Sequence, residues 1–178
     1  MLNGACMAMT DEILVVADAG VLIHLDELGA LDVLSHYATV FVPNAVWNEV
    51  LHHRPQALQH SEVNLSRFPA VPYLPEVNAV STLFTLHHGE CEALSLCLHK
   101  AIDTLLTDDT AARLAAKNLN LKARGTLGLL IRAVRCNLRS VDEVLALLAA
   151  IPEKSSLHIR PALLNDVIAQ LKAEWNKL

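Results

Sequence analysis

The stretch ILVVADAGVLIHLDEL, residues 13–28, decides the fold. Its first five residues are apolar and rich in branched side chains, and the run ends on Asp18. An uninterrupted run of that kind reads as a strand buried on both faces, here over residues 12–17. Residues 21–37 read as helical, with a break near Gly29. A buried strand feeding a helix is the unit from which parallel α/β sheets are built. Asp18 stands at the junction, where two roles compete. A carboxylate there caps a helix, because the free N–H groups and the dipole favour negative charge. It also sits where parallel sheets bind ligands, at the carboxyl end of a strand.

The rest of the chain repeats the alternation. TVFVP (39–43) reads as a strand closed by proline, and NAVWNEVLHH (44–53) as a helix with Asn44 as its cap. Residues 54–76 hold four of the seven prolines; they read as a short helix, a strand near 68–73 and a turn. Helices are expected over 78–86, 90–100, 109–118 and 126–137, and strands over 103–107 and 120–124. Ser140 caps a helix running to Ile151, and 161–175 closes the chain as an amphipathic helix. The pattern implies a mainly parallel sheet with helices on both faces. The expectation is a single domain over 1–178, its core over about 12–138, with extra C-terminal helices over about 140–175.

Composition excludes several classes. Of 178 residues, 53% are hydrophobic and 19% charged, which argues against disorder. The longest apolar run, 144–151, is far short of the roughly 20 residues needed to span a bilayer. The first residues, MLNGACMAMTDE, lack a basic segment and a long apolar core, so the GAC there is discounted as a lipoprotein site; Met7 or Met9 is an alternative start. The four cysteines, Cys6, Cys91, Cys97 and Cys136, form no CxxC pair and read as thiols of a reducing cytoplasm. A net charge of −5 argues against a broad basic surface but leaves room for a local patch or a bound cation.

Acids recur at the sheet's expected carboxyl edge. Asp18 follows the first strand, and Asp108 and Asp109 follow DTLLT. Glu49 lies in NAVWNEV, where a solvated helix face is the simplest reading. Glu90 and Glu92 lie in GECEAL, about 200° apart on a helix, so one of them, not both, faces a shared site. Carboxylates gathered at one edge repel each other, and a divalent cation relieves that repulsion. Oxygen-only donors suit Mg²⁺ or Mn²⁺. The chemistry that fits is metal-assisted hydrolysis of a phosphodiester.

In order and spacing, VVADAGVLIHL, VFVPNAVWNEVL, HGECEALSLCL and TLLTDDTAARLAAKNLNLKARGTLGLL, with the helix that follows, resemble a PIN domain. The likeness runs from about residue 13 to 138. GExEALSL, TDDxAAR and GTLGLL resemble in particular a toxin-like prokaryotic subfamily. The resemblance implies a three-layer α/β/α sandwich and a cytoplasmic metal-dependent endoribonuclease, often a toxin restrained by a small antitoxin protein. Carried over by motif, the catalytic set is Asp18, Glu49, Glu90, Asp108 and Asp109. Asp18, Glu90 and Asp108 or Asp109 would hold Mg²⁺ or Mn²⁺, with Asp109 the better match to the T-x-D form. Thr107 would orient its neighbours, and Arg113 would contact the RNA phosphate or pair with an acid. The middle acid is Glu where many relatives carry Asp. The rival reading is a catalytically silent PIN-like interaction module.

Other signals are weaker. His52–His53 and His87–His88 lack zinc spacing to cysteine, and adjacent helical residues point about 100° apart. GTLGLL lacks the lysine of a phosphate-binding loop. Gly125 is expected to turn the strand into a helix capped by Thr126, and Gly128 to permit close helix packing. Cys97 and Cys136 read as core. The apolar C-terminal helices suggest a surface for a homodimer or an antitoxin.

Overall fold

The computed structural model describes residues 13–175. The GAC segment, Cys6, Met7 and Met9 lie outside the described residues. The opening stretch folds as read: strand β1 (Leu14–Ala17) runs directly into helix α1 (Ala19–Glu27). Gly29, at φ 64°, ends that helical segment, because the left-handed conformation costs glycine nothing. A 3-10 turn (Leu31–Leu34) then leads to β2 (Thr39–Pro43) and α2 (Asn44–His53).

The proline-rich segment departs from expectation. It contains a 3-10 turn (Pro55–Gln59) and then strand β3 (Leu65–Phe68), earlier than the 68–73 expected. Phe68 is the last residue of that strand, and Pro69 and Pro72, which have no N–H to donate, follow it. Next come α3 (Pro75–Phe84), α4 (His88–Lys100), β4 (Thr104–Leu106), α5 (Thr110–Asn118), β5 (Lys122–Arg124) and α6 (Thr126–Arg135). Helices α7 (Val141–Lys154) and α8 (Pro161–Trp175) complete the described chain. Ser140 caps α7, as the sequence suggested, and Glu143 completes a reciprocal capping box that it did not.

All strand pairs are parallel, in the order β3-β2-β1-β4-β5. Successive residues of a strand point to opposite faces, so β1 serves two cores. Val15 and Ala17 pack with Leu22, Leu25, Leu130, Leu148 and Ile151 on one side. Val16 packs with Leu94, Cys97, Leu105, Ala115 and Ala116 on the other. The result is the expected α/β/α sandwich with β1 at its centre.

Three local expectations fail. Asn44 does not cap α2: Pro43 holds that position, and the Asn44 amide oxygen accepts from Arg67. Gly125, not Thr126, is the cap residue of α6. A Cβ on Gly128 would meet nothing within 4 Å, so this glycine does not serve close packing. Among the described residues no helix is long and apolar enough to cross a membrane.

Candidate active site

The carboxyl ends of the central strands are locked together before any side chain is considered. The N–H of Asp18 donates to the Leu106 carbonyl at 2.9 Å, and that of Thr107 to the Arg124 carbonyl at 2.9 Å. The ladder therefore holds Asp18 and Thr107 side by side at the sheet's edge.

Asp18 fills the capping role that its position allowed and stands at the carboxyl edge of the sheet. As the cap of α1, its Oδ1 accepts from the Ala19 N–H at 2.8 Å. Its Oδ2 accepts from the Thr107 hydroxyl at 3.0 Å. The side chain is buried, 8% exposed, and makes no ion pair among the described residues. Burial pushes its carboxyl up from 3.8 to about 6; the Ala19 and Thr107 hydrogen bonds oppose that rise, and the charges of Glu90 and Glu49 add to it. Asp18, Glu49 and Glu90 thus share one electrostatic neighbourhood, although 31 or more residues separate Asp18 from either glutamate.

The glutamates reach that neighbourhood from two helices. Glu49 is exposed on α2 and lies against the start of α4, 3.7 Å from where a Cβ of Gly89 would stand. Glu90 sits in the first turn of α4 and accepts from the His87 N–H at 2.7 Å, half of a capping box. Glu90 and Glu92 have different surroundings. Glu92 is buried, and its Oε2 accepts from the Ala45 N–H at 2.7 Å, so it caps α2 from α4. His88 stands 3.5 Å from the other oxygen of Glu92 and bonds to Tyr73, while His87 belongs to the capping box.

The two aspartates after β4 differ sharply. Both oxygens of Asp108 are engaged. Oδ1 accepts from the Thr126 N–H at 2.7 Å; Oδ2 accepts from the Thr126 hydroxyl at 2.6 Å and lies 2.8 Å from His24 Nδ1. Asp108 therefore ties α1 and α6 to the end of β4. Asp109 is exposed and caps α5 through one oxygen, which accepts from the Ala112 N–H at 2.7 Å. Its own N–H donates to the Thr107 hydroxyl at 3.2 Å, so Thr107 bridges Asp18 and Asp109. Arg113 extends back from α5 and donates to the Thr107 carbonyl at 3.3 Å; it forms no ion pair among the described residues.

Gly125 is required by this crowding. A Cβ there would stand 2.5 Å from Asp108 Oδ1, 3.1 Å from Arg113 Nη1 and 3.3 Å from the Thr107 carbonyl oxygen. Only hydrogen fits. Sequence reasoning missed His24 and the Asp108–Thr126 pairing. Nothing local in VLIHL announces a partner 84 residues away.

The ionisable side chains that act on Asp18 are carboxylates, and among the described residues no basic side chain pairs with it, which suits a hard divalent cation; Glu90 lies 3.7 Å from His87 Nδ1. Among the described residues, no three acidic, histidine or cysteine side chains converge closely enough to hold an ion as they stand. The carboxylate of Glu90, turned to the His87 N–H, is one reason. Burial pushes the Cys97 thiol up to about 12, in keeping with a core thiol.

A five-stranded parallel sheet whose central strand delivers a buried aspartate toward two helix-borne glutamates defines an α/β/α domain with an acidic site at its carboxyl edge. The family profile of the PIN domain matches residues 14–173, and the chain belongs to that family. PIN domains are generally nucleases and typically use divalent metal ions. No curated protein and no solved structure matches the chain.

Proposed function

We propose that this protein is a metal-dependent endoribonuclease acting at the Asp18 edge. The observation that carries the reading is a buried carboxylate, held ionisable by two hydrogen bonds, beside two further acids and no basic partner. Asparagine or serine would cap the helix as well without charge repulsion, so the cap alone does not call for an acid at this position.

Asp18, Glu90 and Asp109 would hold Mg²⁺ or Mn²⁺. Asp109 is preferred over Asp108 because one of its oxygens has no partner among the described residues, whereas both oxygens of Asp108 are engaged. A bound divalent cation supplies an acidified water and positive charge for the phosphate. The chain does the positioning. Thr107 fixes the rotamer of Asp18 and the backbone entering α5 through one hydroxyl. Glu49, exposed at the rim, has carboxylate oxygens open to accept a proton from the attacking water. Arg113 projects over the Thr107 carbonyl, where a phosphate oxygen would find a cation without displacing an ion pair.

The test is cleavage of total RNA by purified protein with Mn²⁺, Mg²⁺ or EDTA, beside Asp18→Asn. Cutting that needs metal and Asp18 is expected; equal cutting by both proteins would refute the assignment. The rival reading, a silent interaction module, is favoured by the Glu90 capping bond. It requires no cutting by either protein and no metal-induced rise in melting temperature. Resemblance to toxin-like relatives extends the proposal to a toxin held by a small antitoxin, and to a homodimer through the C-terminal helices. Growth arrest on expression, relieved by the neighbouring open reading frame, and the mass in solution test these.

A further inference from the structure

A second feature lies on the same carboxyl edge, on the side of β1 away from Arg113. Arg67 projects from β3, opposite Val42 of β2. Its Nε donates to the Asn44 amide oxygen at 2.9 Å, and its Nη2 to the Asn48 amide oxygen at 3.0 Å. Asn44 and Asn48 are one turn apart on α2, so the two acceptors form a fixed seat. The Trp47 ring supports the guanidinium, 5.8 Å from its carbon. Arg67, Asn44, Pro69 and Ala70 line an open hollow of about 390 Å³.

Arg67 is exposed, and its seat is neutral. Arg54 and Arg139, by contrast, are half-buried and paired with Asp26 and Asp32. Arg67 is held by neutral amides, so its charge is oriented without being cancelled. Its Nη1 donors have no partner among the described residues. In a chain of net charge −5, an ordered, uncompensated guanidinium beside a hollow fits an anion. Strand β3 is two strands from β1, so its backbone lies about 10 Å from that of Asp18. One or two nucleotides of an extended strand cover that span.

We propose that Arg67, seated on Asn44 and Asn48, is a phosphate subsite for single-stranded RNA flanking the acidic site. The proposal rests on the nuclease reading and adds a path: the RNA crosses the carboxyl edge, one phosphate over Asp18 and a neighbouring phosphate on Arg67. A single exposed cation holds free phosphate weakly, whereas the polymer brings that phosphate to it at high effective concentration.

The test uses the full chain carrying Asp18→Asn, so that RNA stays intact, and a fluorescein-labelled oligouridine in Mg²⁺ across a salt series. Arg67→Ala is expected to weaken binding severalfold and to reduce the slope of log affinity against log salt by about 0.7, one single-strand phosphate contact. Asn48→Asp, which leaves Arg67 in place but gives it a carboxylate, is expected to do the same. Arg67→Lys keeps the charge and is expected to keep the slope. Unchanged slopes for Arg67→Ala and Asn48→Asp overturn the subsite. Cutting of total RNA by the unmodified protein, measured alongside, separates the two readings. Asp18-dependent cutting with unchanged slopes refutes the subsite alone. Arg67-dependent binding without cutting refutes the nuclease alone. No binding by any variant, together with no Asp18-dependent cutting, refutes both.

Discussion

Replacing Asp18 by asparagine is expected to stabilise the metal-free protein, and the structure sets how much. The carboxyl is 8% exposed, and burial lifts it from 3.8 to about 6. Because the folded state holds this proton more tightly than the unfolded chain, the group favours folding when protonated. That contribution is complete below about pH 3.8 and is lost as the pH rises through about 6. At about 1.4 kcal/mol per pH unit of the gap, the ionised carboxylate costs the fold roughly 3 kcal/mol at neutral pH. Asparagine carries no charge. Its amide oxygen still accepts from the Ala19 N–H, and its amide N–H can donate to the Thr107 oxygen, but the Thr107 hydroxyl loses its acceptor. That loss costs about 1 kcal/mol. The balance is a gain of about 2 kcal/mol at pH 7, or about 4–8 °C in melting temperature for a domain of this size. Melting curves in EDTA from pH 4 to pH 8 would show the advantage growing with pH. Adding Mn²⁺ should raise the melting temperature of the unmodified protein and not that of the variant. An Asp18→Asn protein no more stable at pH 7, or a difference that does not change with pH, would refute the electrostatic argument.

Gly125→Ala should destabilise the fold by about 2–4 kcal/mol, because the new Cβ drives Asp108 off Thr126; an unchanged urea midpoint would show that the contact yields. Glu92→Ala should cost about 1–3 kcal/mol by orphaning the Ala45 N–H while leaving the response of melting temperature to Mn²⁺ intact; loss of that response would put Glu92 in the metal site. Cys97, buried and with its thiol pushed up to about 12, should resist iodoacetamide in the native protein and react on unfolding, as mass spectrometry would record.

The sheet was legible because β1, β2 and β4 are short apolar runs bounded by proline, glycine or acid, and such runs have few alternatives to burial. Strand β3 was harder. Its LSRF sequence alternates without a strong apolar face, and neighbouring prolines drew attention too far downstream. Helix ends were misread where the cap comes from elsewhere. Asn44 looks like a cap from its neighbours, yet the Ala45 N–H is satisfied by Glu92, 47 residues away. Thr126 looks like one too, yet its hydroxyl and N–H both serve Asp108.

The sequence by itself determined which residues are acidic, which strands are buried and where strands give way to helices, because these depend on side-chain chemistry and local periodicity. It could not distribute the acids. Asp108 and Asp109 are adjacent in the chain and both follow a strand. One became a tie between α1 and α6, the other an exposed cap with an oxygen to spare. Glu90 and Glu92 were separated in the same way, one capping its own helix with its charge felt at Asp18, the other sealing α2. Hydrogen bonding and charge depend on distances between segments far apart in the chain. Only the tertiary fold, by bringing β1, β4, α2 and α4 to one edge, set those distances.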